Sequence, residues 1–319
     1  MKPDLTSDIP ANGLYRFTHP AMATIFEVIV AYEDRSFAEQ CAHAAFEEMD
    51  RLELELSRFL PNSDISRVNN LSPGGSIQVG FDAFECLKLS KVYSMQTSGA
   101  FDITVGVLMD RFVMKDRRDL PLINGGGDQS RREIGMDLFD LDESAHKVIV
   151  GASVPRLDLG AIGKGYAVDR ACELLKEWGI SSALVHGGGS SAFAFGDYPG
   201  RWGWPVTISS PWVSGEILER ALLRHASLSG SGVMRRKHII DPRNGILSDN
   251  RAGAWASTPT AVQSDAVSTA CMVMNDEEVE GYCKAHPETW VMVAPMMDGG
   301  RPNPVIRFGV ASWEGQASA

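Results

Sequence analysis

The stretch from Asp158 to Arg170, DLGAIGKGYAVDR, constrains this chain most, because small residues crowd the junction of a predicted strand and a predicted helix. Gly160, Gly163 and Gly165 would let the backbone approach a ligand closely, and the start of a helix offers N–H groups and a positive dipole end to an anion. Lys164 adds an ammonium group. The pattern matches neither of the two common phosphate-binding fingerprints, and an ordinary tight turn with a solvated lysine explains the same residues equally well.

The composition is that of a globular protein, and its negative net charge argues against duplex nucleic acid as the ligand. The 319 residues are 44% hydrophobic and 22% charged, which suits one large two-lobed unit or two domains. Lys and Arg number 30 against 41 Asp and Glu, a net charge of -11. An acidic chain is a poor partner for the phosphates of duplex nucleic acid, although a local basic patch could hold a small anion.

The cysteines and the apolar runs of the sequence predict the redox state of the thiols and the cellular location of the protein. The five cysteines are scattered and include no C-x-x-C pair, so buried, reduced thiols are expected rather than a disulfide framework or a zinc site. The first residues lack the apolar core of a signal peptide, and no apolar run is long enough to cross a bilayer. We therefore expect a cytoplasmic protein without membrane insertion, although a trimmed exported form is compatible with the same sequence.

Hydrophobic periodicity predicts the main elements. The run MATIFEVIVAY from Met22 is typical of a strand, and apolar residues recur at helical spacing over 35–59 and 81–97. A third helix is predicted from Gly165 to Trp178. The polar, glycine-rich interval 115–133 is interpreted as an exposed loop.

A later helix places a carboxylate and a hydroxyl on one face. Asp265 and Thr269 are four residues apart, so their side chains project from the same side. Oxygen ligands of this kind suit a hard divalent cation that keeps water and ligand phosphate in its remaining positions. In the alternative interpretation Ser264 or Asp265 is the N-cap and Thr269 is only a helical spacer.

Two further segments have both a structural and a functional interpretation. His238 follows three basic residues and precedes a strong turn signal, Asp-Pro-Arg-Asn-Gly, so it lies near groups that could hold polyphosphate. A lone histidine is nevertheless more often structural. Three consecutive glycines at 187–189 would allow backbone contact with a ligand or form a hairpin bend.

Taken together, the motifs resemble the FAD:protein FMN transferase family, also called ApbE. The resemblance extends over roughly residues 20–275 and rests on the order of the motifs more than on any one of them. They are MATIFEV, SRFLPNSDISRVN, GAFDITVG, DLGAIGKGYAVD, the glycine cluster, HIIDPRNG and SDAVSTA.

The resemblance implies a magnesium-dependent transferase that uses FAD as its substrate. Such an enzyme cleaves FAD, attaches FMN through a phosphoester bond to a Thr or Ser of a target flavoprotein and releases AMP. One alternative is an FAD pyrophosphatase that hydrolyses FAD to FMN and AMP. A second alternative is a non-catalytic protein that binds or delivers flavin.

The resemblance also implies particular site residues. His238 matches the candidate general base and, with Ile239, also a nucleotide-contact position. Ala161 matches a residue that offers its carbonyl to the metal, beside the metal ligands Asp265 and Thr269. The remaining FAD-binding positions are Met22, Phe59, Ala100, Phe101, Asp102, Asp158 and Lys164.

The fold implied is α+β, with two closely packed lobes, largely antiparallel sheets flanked by helices, and a ligand cleft between the lobes. Residues 1–20 are interpreted as a lead-in and 21–319 as a single domain. Departures from the family pattern include Met22-Ala23-Thr24 in place of Met-Gly-Thr and Gly188-Gly189-Ser190 in place of Gly-Gly-Asp. A Ser-Leu-Ser-Gly-Ser stretch stands where Thr-Ser-Gly is frequent. The first change should only tighten the turn, whereas the other two bear on target recognition and flavin contacts more than on the metal.

Overall fold

The computed structural model describes residues 2–3, 13–111, 133–233 and 239–311. His238 and nearly all of the predicted loop 115–133 lie outside these ranges. The strands are Lys2–Pro3 (β1), Leu14–Ala21 (β2), Thr24–Ala31 (β3), Ser76–Gln78 (β4), Phe139–Asp142 (β5), Lys147–Val150 (β6), Ala183–Gly187 (β7), Ser191–Phe195 (β8), Trp204–Ser209 (β9), Ile217–Leu223 (β10), Ala226–Gly232 (β11), Ile240–Asp241 (β12), Ile246–Leu247 (β13), Arg251–Ser257 (β14), Trp290–Pro295 (β15) and Ile306–Phe308 (β16). The helices whose two ends lie within the described ranges are Arg35–Leu56 (α1), Asp64–Asn69 (α2), Phe81–Gln96 (α3), Gly163–Glu177 (α4), Ala261–Ala270 (α5) and Asp276–Ala285 (α6).

An antiparallel sheet of eight strands is the centre of the fold, in the order β16-β15-β14-β11-β8-β7-β3-β2. Three smaller sheets accompany it: β1-β9-β10, β4-β6-β5 and β12-β13. The fold class predicted from the sequence, helices with largely antiparallel sheets, is confirmed. Strand β2 begins at Leu14, so part of the segment interpreted as a lead-in belongs to the large sheet.

Both faces of the large sheet are buried, each by a separate core, and α4 and α5 pack on one of the two faces. Val28 and Val30 belong to the core that also takes in α1, α4 and α5, whereas Ile29 points to the opposite face and packs in a second core with Trp204. Alternate residues of a strand face opposite sides of its sheet. Because both faces are covered, every residue of β7 and β8 is buried.

The helix predictions are confirmed with small shifts at their ends. Helix α1 ends at Leu56, before the predicted residue 59, and α4 begins at Gly163, two residues before the predicted start. The N-cap of α5 is Thr260, whose side chain accepts a hydrogen bond from the backbone N–H of Gln263. The alternative in which Ser264 or Asp265 caps this helix is therefore wrong, because both lie inside it.

Within the described ranges, no helix is both long and apolar enough to cross a membrane.

Candidate active site

A cleft of about 380 Å³ opens where α4 begins, between α5, the end of β11 and the segment that follows α3. A smaller cavity of about 160 Å³ adjoins it, and Asp158, Gly160 and Lys164 line both. All predicted site residues that the structure describes line one of the two. The larger cleft takes Ala100, Phe101, Asp102, Asp158, Ala161, Lys164, Ile239, Asp265 and Thr269, and the smaller one takes Met22 and Phe59 in addition to the shared residues.

The turn before α4 is held by contacts within the chain. The backbone N–H of Asp158 donates to the carbonyl of Ile103 at 2.7 Å, and its Oδ1 accepts from the N–H of Gly160 at 2.9 Å. Its Oδ2 lies 3.0 Å from Nε of Arg58, an ion pair without the alignment of a hydrogen bond. The Arg58 side chain is only 8% exposed and also donates to Asp110. Sequence reasoning missed Arg58, because its partner lies a hundred residues further along the chain.

Lys164 and Gly165 connect this turn to α5. Nζ of Lys164 donates to the carbonyl of Gly160 at 2.8 Å and lies 3.8 Å from Oδ2 of Asp265. The N–H of Gly165 donates to the same carboxylate oxygen at 3.0 Å. One backbone N–H at the start of α4 therefore already binds the carboxylate of Asp265. Only the other N–H groups of the first turn remain for an anionic ligand.

Gly165 also has a packing role that the sequence did not indicate. A Cβ built on it would lie 2.2 Å from the carbonyl oxygen of Ala261 and 2.8 Å from Cβ of Asp265. Any side chain there would push α5 away from α4. The residue was interpreted as allowing a close approach to a ligand, whereas in the structure it allows a close approach between two helices.

The donor set on α5 fits a magnesium ion. Asp265 is 3% exposed and lines the cleft together with Thr269 and Ala161. Among the described residues, no group of three or more His, Cys, Asp or Glu side chains could hold a metal. A cation here would depend on one carboxylate, a hydroxyl, a carbonyl, water and substrate oxygens. This is the way Mg²⁺ is usually bound, since it gives up its water reluctantly.

Asp102 places a partly buried carboxyl group in the larger cleft. Its Oδ1 accepts hydrogen bonds from the backbone N–H and the hydroxyl of Thr104, at 2.7 Å and 2.6 Å. Burial raises the pKa of the Asp102 carboxyl above its usual value, although these two bonds oppose the change. The segment leaves α3 through Ser98 and Gly99, both at positive φ, which ends the helix near the predicted position.

The smaller cavity is formed by a strained turn and an exposed aromatic ring. Met22 and Ala23 join β2 to β3 with φ of 48° and 56°, and the N–H of Met22 donates to Oε2 of Glu53 at 2.8 Å. Phe59 is 78% exposed, and the guanidinium of Arg58 lies 4.7 Å from the centre of its ring. An exposed ring at the mouth of a cavity is suited to stacking with a flat ligand.

The glycine cluster forms the turn between β7 and β8. Gly188 and Gly189 have φ of 62° and 67°, and the N–H of Ser190 donates to the carbonyl of Gly187 at 3.1 Å. The hairpin interpretation is therefore correct. Ser190 nevertheless lines the larger cleft, so the turn is also part of the site.

Comparison with known proteins agrees with this geometry. Residues 22–293 match the family model described as the ApbE family. The chain is 24% identical over 290 residues to the FAD:protein FMN transferase of Klebsiella pneumoniae, covering 85% of this chain and 81% of that protein. It is 28% identical over 279 residues to the FAD:protein FMN transferase of Treponema pallidum, covering 77% and 75%.

Solved structures show the same fold. The apo flavinyl transferase ApbE of Pseudomonas stutzeri superposes with a TM-score of 0.80 at 22% identity, over 95% of this chain and 99% of that one. The ApbE protein of Thermotoga maritima gives a TM-score of 0.81 at 21% identity, over 92% and 97%. Since the family match takes in most of the sequence, the chain belongs to the ApbE family, and its relatives in Klebsiella pneumoniae and Treponema pallidum are transferases.

Proposed function

We propose that this protein is a magnesium-dependent FAD:protein FMN transferase. It cleaves the pyrophosphate of FAD, attaches FMN to a Thr or Ser hydroxyl of an acceptor flavoprotein and releases AMP. Family membership supports the use of FAD, because the curated relatives carry that activity in their names. The metal, the acceptor hydroxyl and the released AMP are the finer parts of the proposal.

One observation supports it best: two cavities meet at a single glycine-rich turn, and Asp158 and Lys164 line both. FAD is a dinucleotide with a pyrophosphate between its two halves. A site with two chambers and an ammonium group at their junction suits such a ligand. The residues of the proposed metal set, Asp265 and Thr269, line the larger chamber beside that junction.

The residues of this chain divide the chemistry among them. Lys164 supplies positive charge toward phosphate oxygens, and Asp265 is held in one orientation by the N–H of Gly165. When bound, Mg²⁺ would neutralise charge on the pyrophosphate oxygens. His238 is proposed as the base that takes the proton of the incoming hydroxyl, since an imidazole can accept a proton near neutral pH. It lies outside the described residues, so this role stays a prediction, as does residence in the cytoplasm.

The test is an incubation with FAD, Mg²⁺ and a candidate acceptor domain, followed by intact mass measurement and analysis of the nucleotides. A mass increment of one FMN on the acceptor, with AMP in solution, is the expected result. Free FMN with AMP and no increment would indicate an FAD pyrophosphatase. Intact bound FAD would indicate a flavin carrier.

Asp265→Ala removes the only carboxylate of the proposed metal set. Because turnover depends on charge neutralisation at the pyrophosphate, we expect FMN transfer to fall by at least about 100-fold, on the order of 3 kcal/mol of transition-state stabilisation. The rate of AMP release at a series of Mg²⁺ concentrations measures this. Glu280→Gln, on the exposed surface of α6, removes a charge that pairs with Lys284 and lines neither cavity, and it serves as the control. Transfer at the wild-type rate in Asp265→Ala would refute the metal assignment.

A further inference from the structure

Three serines on β11 form a hydroxyl ladder with the helix that contains the proposed metal ligands. Ser227, Ser229 and Ser231 alternate along the strand, so all three face α5. The hydroxyl of Ser227 lies 2.8 Å from the carbonyls of both Thr258 and Thr260 and can donate to either. That of Ser229 lies 2.7 Å from the hydroxyl of Ser264. Ser231 continues the series at the level of Ser268 and Thr269.

The ladder has a simple geometric basis. Two residues of a strand advance about 6.7 Å, and four residues of a helix advance about 6.0 Å. Serines two apart on β11 can therefore meet residues four apart on α5. The match fixes how far α5 slides along the sheet, and the last serine reaches the cleft.

Ser231 differs from the two deeper serines because it lines the cleft and contacts a proposed metal ligand. Its Oγ lies 2.9 Å from Oγ1 of Thr269 and 3.2 Å from Oγ of Ser268. The hydroxyl of Ser268 in turn donates to the carbonyl of Asp265 at 3.0 Å. Oγ1 of Thr269 also lies 3.2 Å from this carbonyl, so the single proton of Thr269 has two acceptors within reach. Its contact with Ser231 is the shorter one, and Ser268 already donates to the carbonyl. The three hydroxyls can therefore form one chain that runs from Thr269 through Ser231 and Ser268 to the carbonyl of Asp265.

A cation at Oγ1 of Thr269 would select this direction. A cation bound to Oγ1 of Thr269 opposes any hydrogen bond donated to that oxygen. It also polarises the O–H bond of Thr269 and makes this hydroxyl a stronger hydrogen-bond donor. Thr269 would then donate to Ser231 and keep its lone pairs for the cation. Hydrogen bonds from a metal ligand to its neighbours orient the ligand and raise its basicity.

We propose that Ser231 is a positioning residue that accepts a hydrogen bond from the hydroxyl of Thr269 and thereby sets the affinity of the cleft for a divalent cation. This inference rests on the proposed metal set. It assigns a role to the serine-rich stretch that stands where Thr-Ser-Gly is frequent in the family.

The experiment measures binding of Mn²⁺ to the full chain in the presence of FAD and without acceptor, from the EPR signal of free Mn²⁺. Ser231→Ala is expected to raise the Kd for Mn²⁺ about 10-fold, the lower end of what loss of a hydrogen bond to a metal ligand costs. Ser231→Thr retains a hydroxyl and should restore most of the affinity.

Ser229→Ala is the matched control, since it removes a deeper hydroxyl that lies outside the cleft lining. Loss of the buried hydrogen bond between Ser229 and Ser264 should lower the melting temperature. Ser264 keeps its bond to the carbonyl of Ala261, so we expect the Kd for Mn²⁺ to stay unchanged within about twofold. In a Thr269→Ala background, Ser231→Ala should have little further effect, because it acts through Thr269.

The outcomes separate this inference from the proposed function. Absence of saturable Mn²⁺ binding in the wild-type protein would refute the metal site and the inference with it. Wild-type binding with an unchanged Kd in Ser231→Ala would refute the inference alone. An effect of Ser231→Ala that is equally large with and without Thr269 would also refute it, because Ser231 would then act by another route.

Discussion

Met22 and Ala23 show strain at the level of single residues. Both adopt positive φ, a region in which the Cβ of an L-amino acid is crowded by the backbone. Family relatives were expected to have glycine at the second position, and from the sequence alone the change to alanine promised only a tighter turn. In the structure, alanine at position 23 has a positive φ, which costs conformational free energy that glycine would not. The strained turn faces the smaller cavity, so it holds Met22 where a ligand would meet it.

Ala23→Gly should raise the free energy of unfolding by up to about 1 kcal/mol, because relief of left-handed strain exceeds the entropy that glycine adds to the unfolded chain. Urea denaturation measures the change. Ala44→Gly, inside α1, is the control and should lower the free energy of unfolding by about 1 kcal/mol. A loss of stability in both variants would contradict the strain argument.

Gly165→Ala should be among the most damaging single-methyl changes in this chain. The new Cβ would meet the carbonyl of Ala261 at 2.2 Å, so α4 and α5 must separate or the backbone must shift. We expect a loss of about 3 kcal/mol in the free energy of unfolding, measured by urea denaturation, together with weaker Mg²⁺ dependence.

The control lies two residues earlier in the same motif. At Gly163 a Cβ would lie 3.8 Å from its nearest neighbour, Cβ of Leu159, an ordinary contact. Gly163→Ala should leave stability unchanged or slightly higher, because alanine favours a helix. Equal damage from the two substitutions would show that the contact between the helices does not decide the outcome.

At the scale of elements, α4 and α5 cap each other. Asp265 of α5 accepts from the N–H of Gly165 in the first turn of α4. Asp169 of α4 accepts from the N–H groups of Ala261 and Val262 in the first turn of α5, at 2.7 Å and 2.8 Å. Each helix thus supplies an anion to the positive end of the other. The proposed metal ligands are consequently placed by α4 as much as by their own helix.

The pKa of Asp169 predicts a pH dependence of stability. Burial raises this pKa from 3.8 to about 7, against the two backbone N–H groups that favour the charged form; Glu173 adds to the rise and Lys176 opposes it. Between these values the folded state binds more protons than the unfolded state. The contribution of Asp169 to the free energy of unfolding is therefore fully present below pH 3.8 and is lost as the pH rises through 7, by at most on the order of 4 kcal/mol.

Asp169→Asn isolates this contribution, since the amide does not titrate. The difference in free energy of unfolding between wild type and variant, from urea denaturation, should shrink as the pH rises from 4 to 7. The variant should also be less stable at every pH, because an amide has only one oxygen for two N–H donors. A difference that grows with pH would mean that the folded carboxylate has a lowered pKa, contrary to the burial argument.

At the scale of the whole molecule, the sheet separates two cores, and all five thiols lie in the core that takes in α1, α4 and α5, so they report on the integrity of that core. All five cysteines are free and buried, as the sequence predicted. Burial raises the pKa of Cys283 to about 11 and that of Cys271 to about 12. The thiolate is the reactive form, so these groups should react slowly while the protein is folded.

Labelling with DTNB should therefore require unfolding. We expect less than one thiol per chain to react within minutes under native conditions, and all five cysteines to react in urea. The rate should follow the unfolded fraction across the urea transition, measured in parallel by circular dichroism. Rapid native labelling, or fewer than five reactive thiols in urea, would contradict buried and reduced cysteines.

Local patterns were sufficient for the longer helices. Apolar spacing placed α1 and α3 to within a few residues, since a helix that packs on a sheet must repeat its apolar face every three to four residues. Ordered motifs also indicated the ApbE family and the residues that line the two cavities. These features depend on short stretches of chain, which a sequence displays directly.

The tertiary structure alone decided which residues hold the site together. The ion pair of Arg58 with Asp158, the reciprocal capping by Asp169 and Asp265, and the contact of Ser231 with Thr269 each join segments far apart in the chain. A local sequence pattern does not predict such a partner, because many carboxylates and hydroxyls in the chain could form the same ion pair or hydrogen bond. The sequence by itself determined which groups are available near a glycine-rich turn. Only packing of α4 and α5 on the sheet brought them within hydrogen-bonding distance, since these bonds require contact to within about 3 Å.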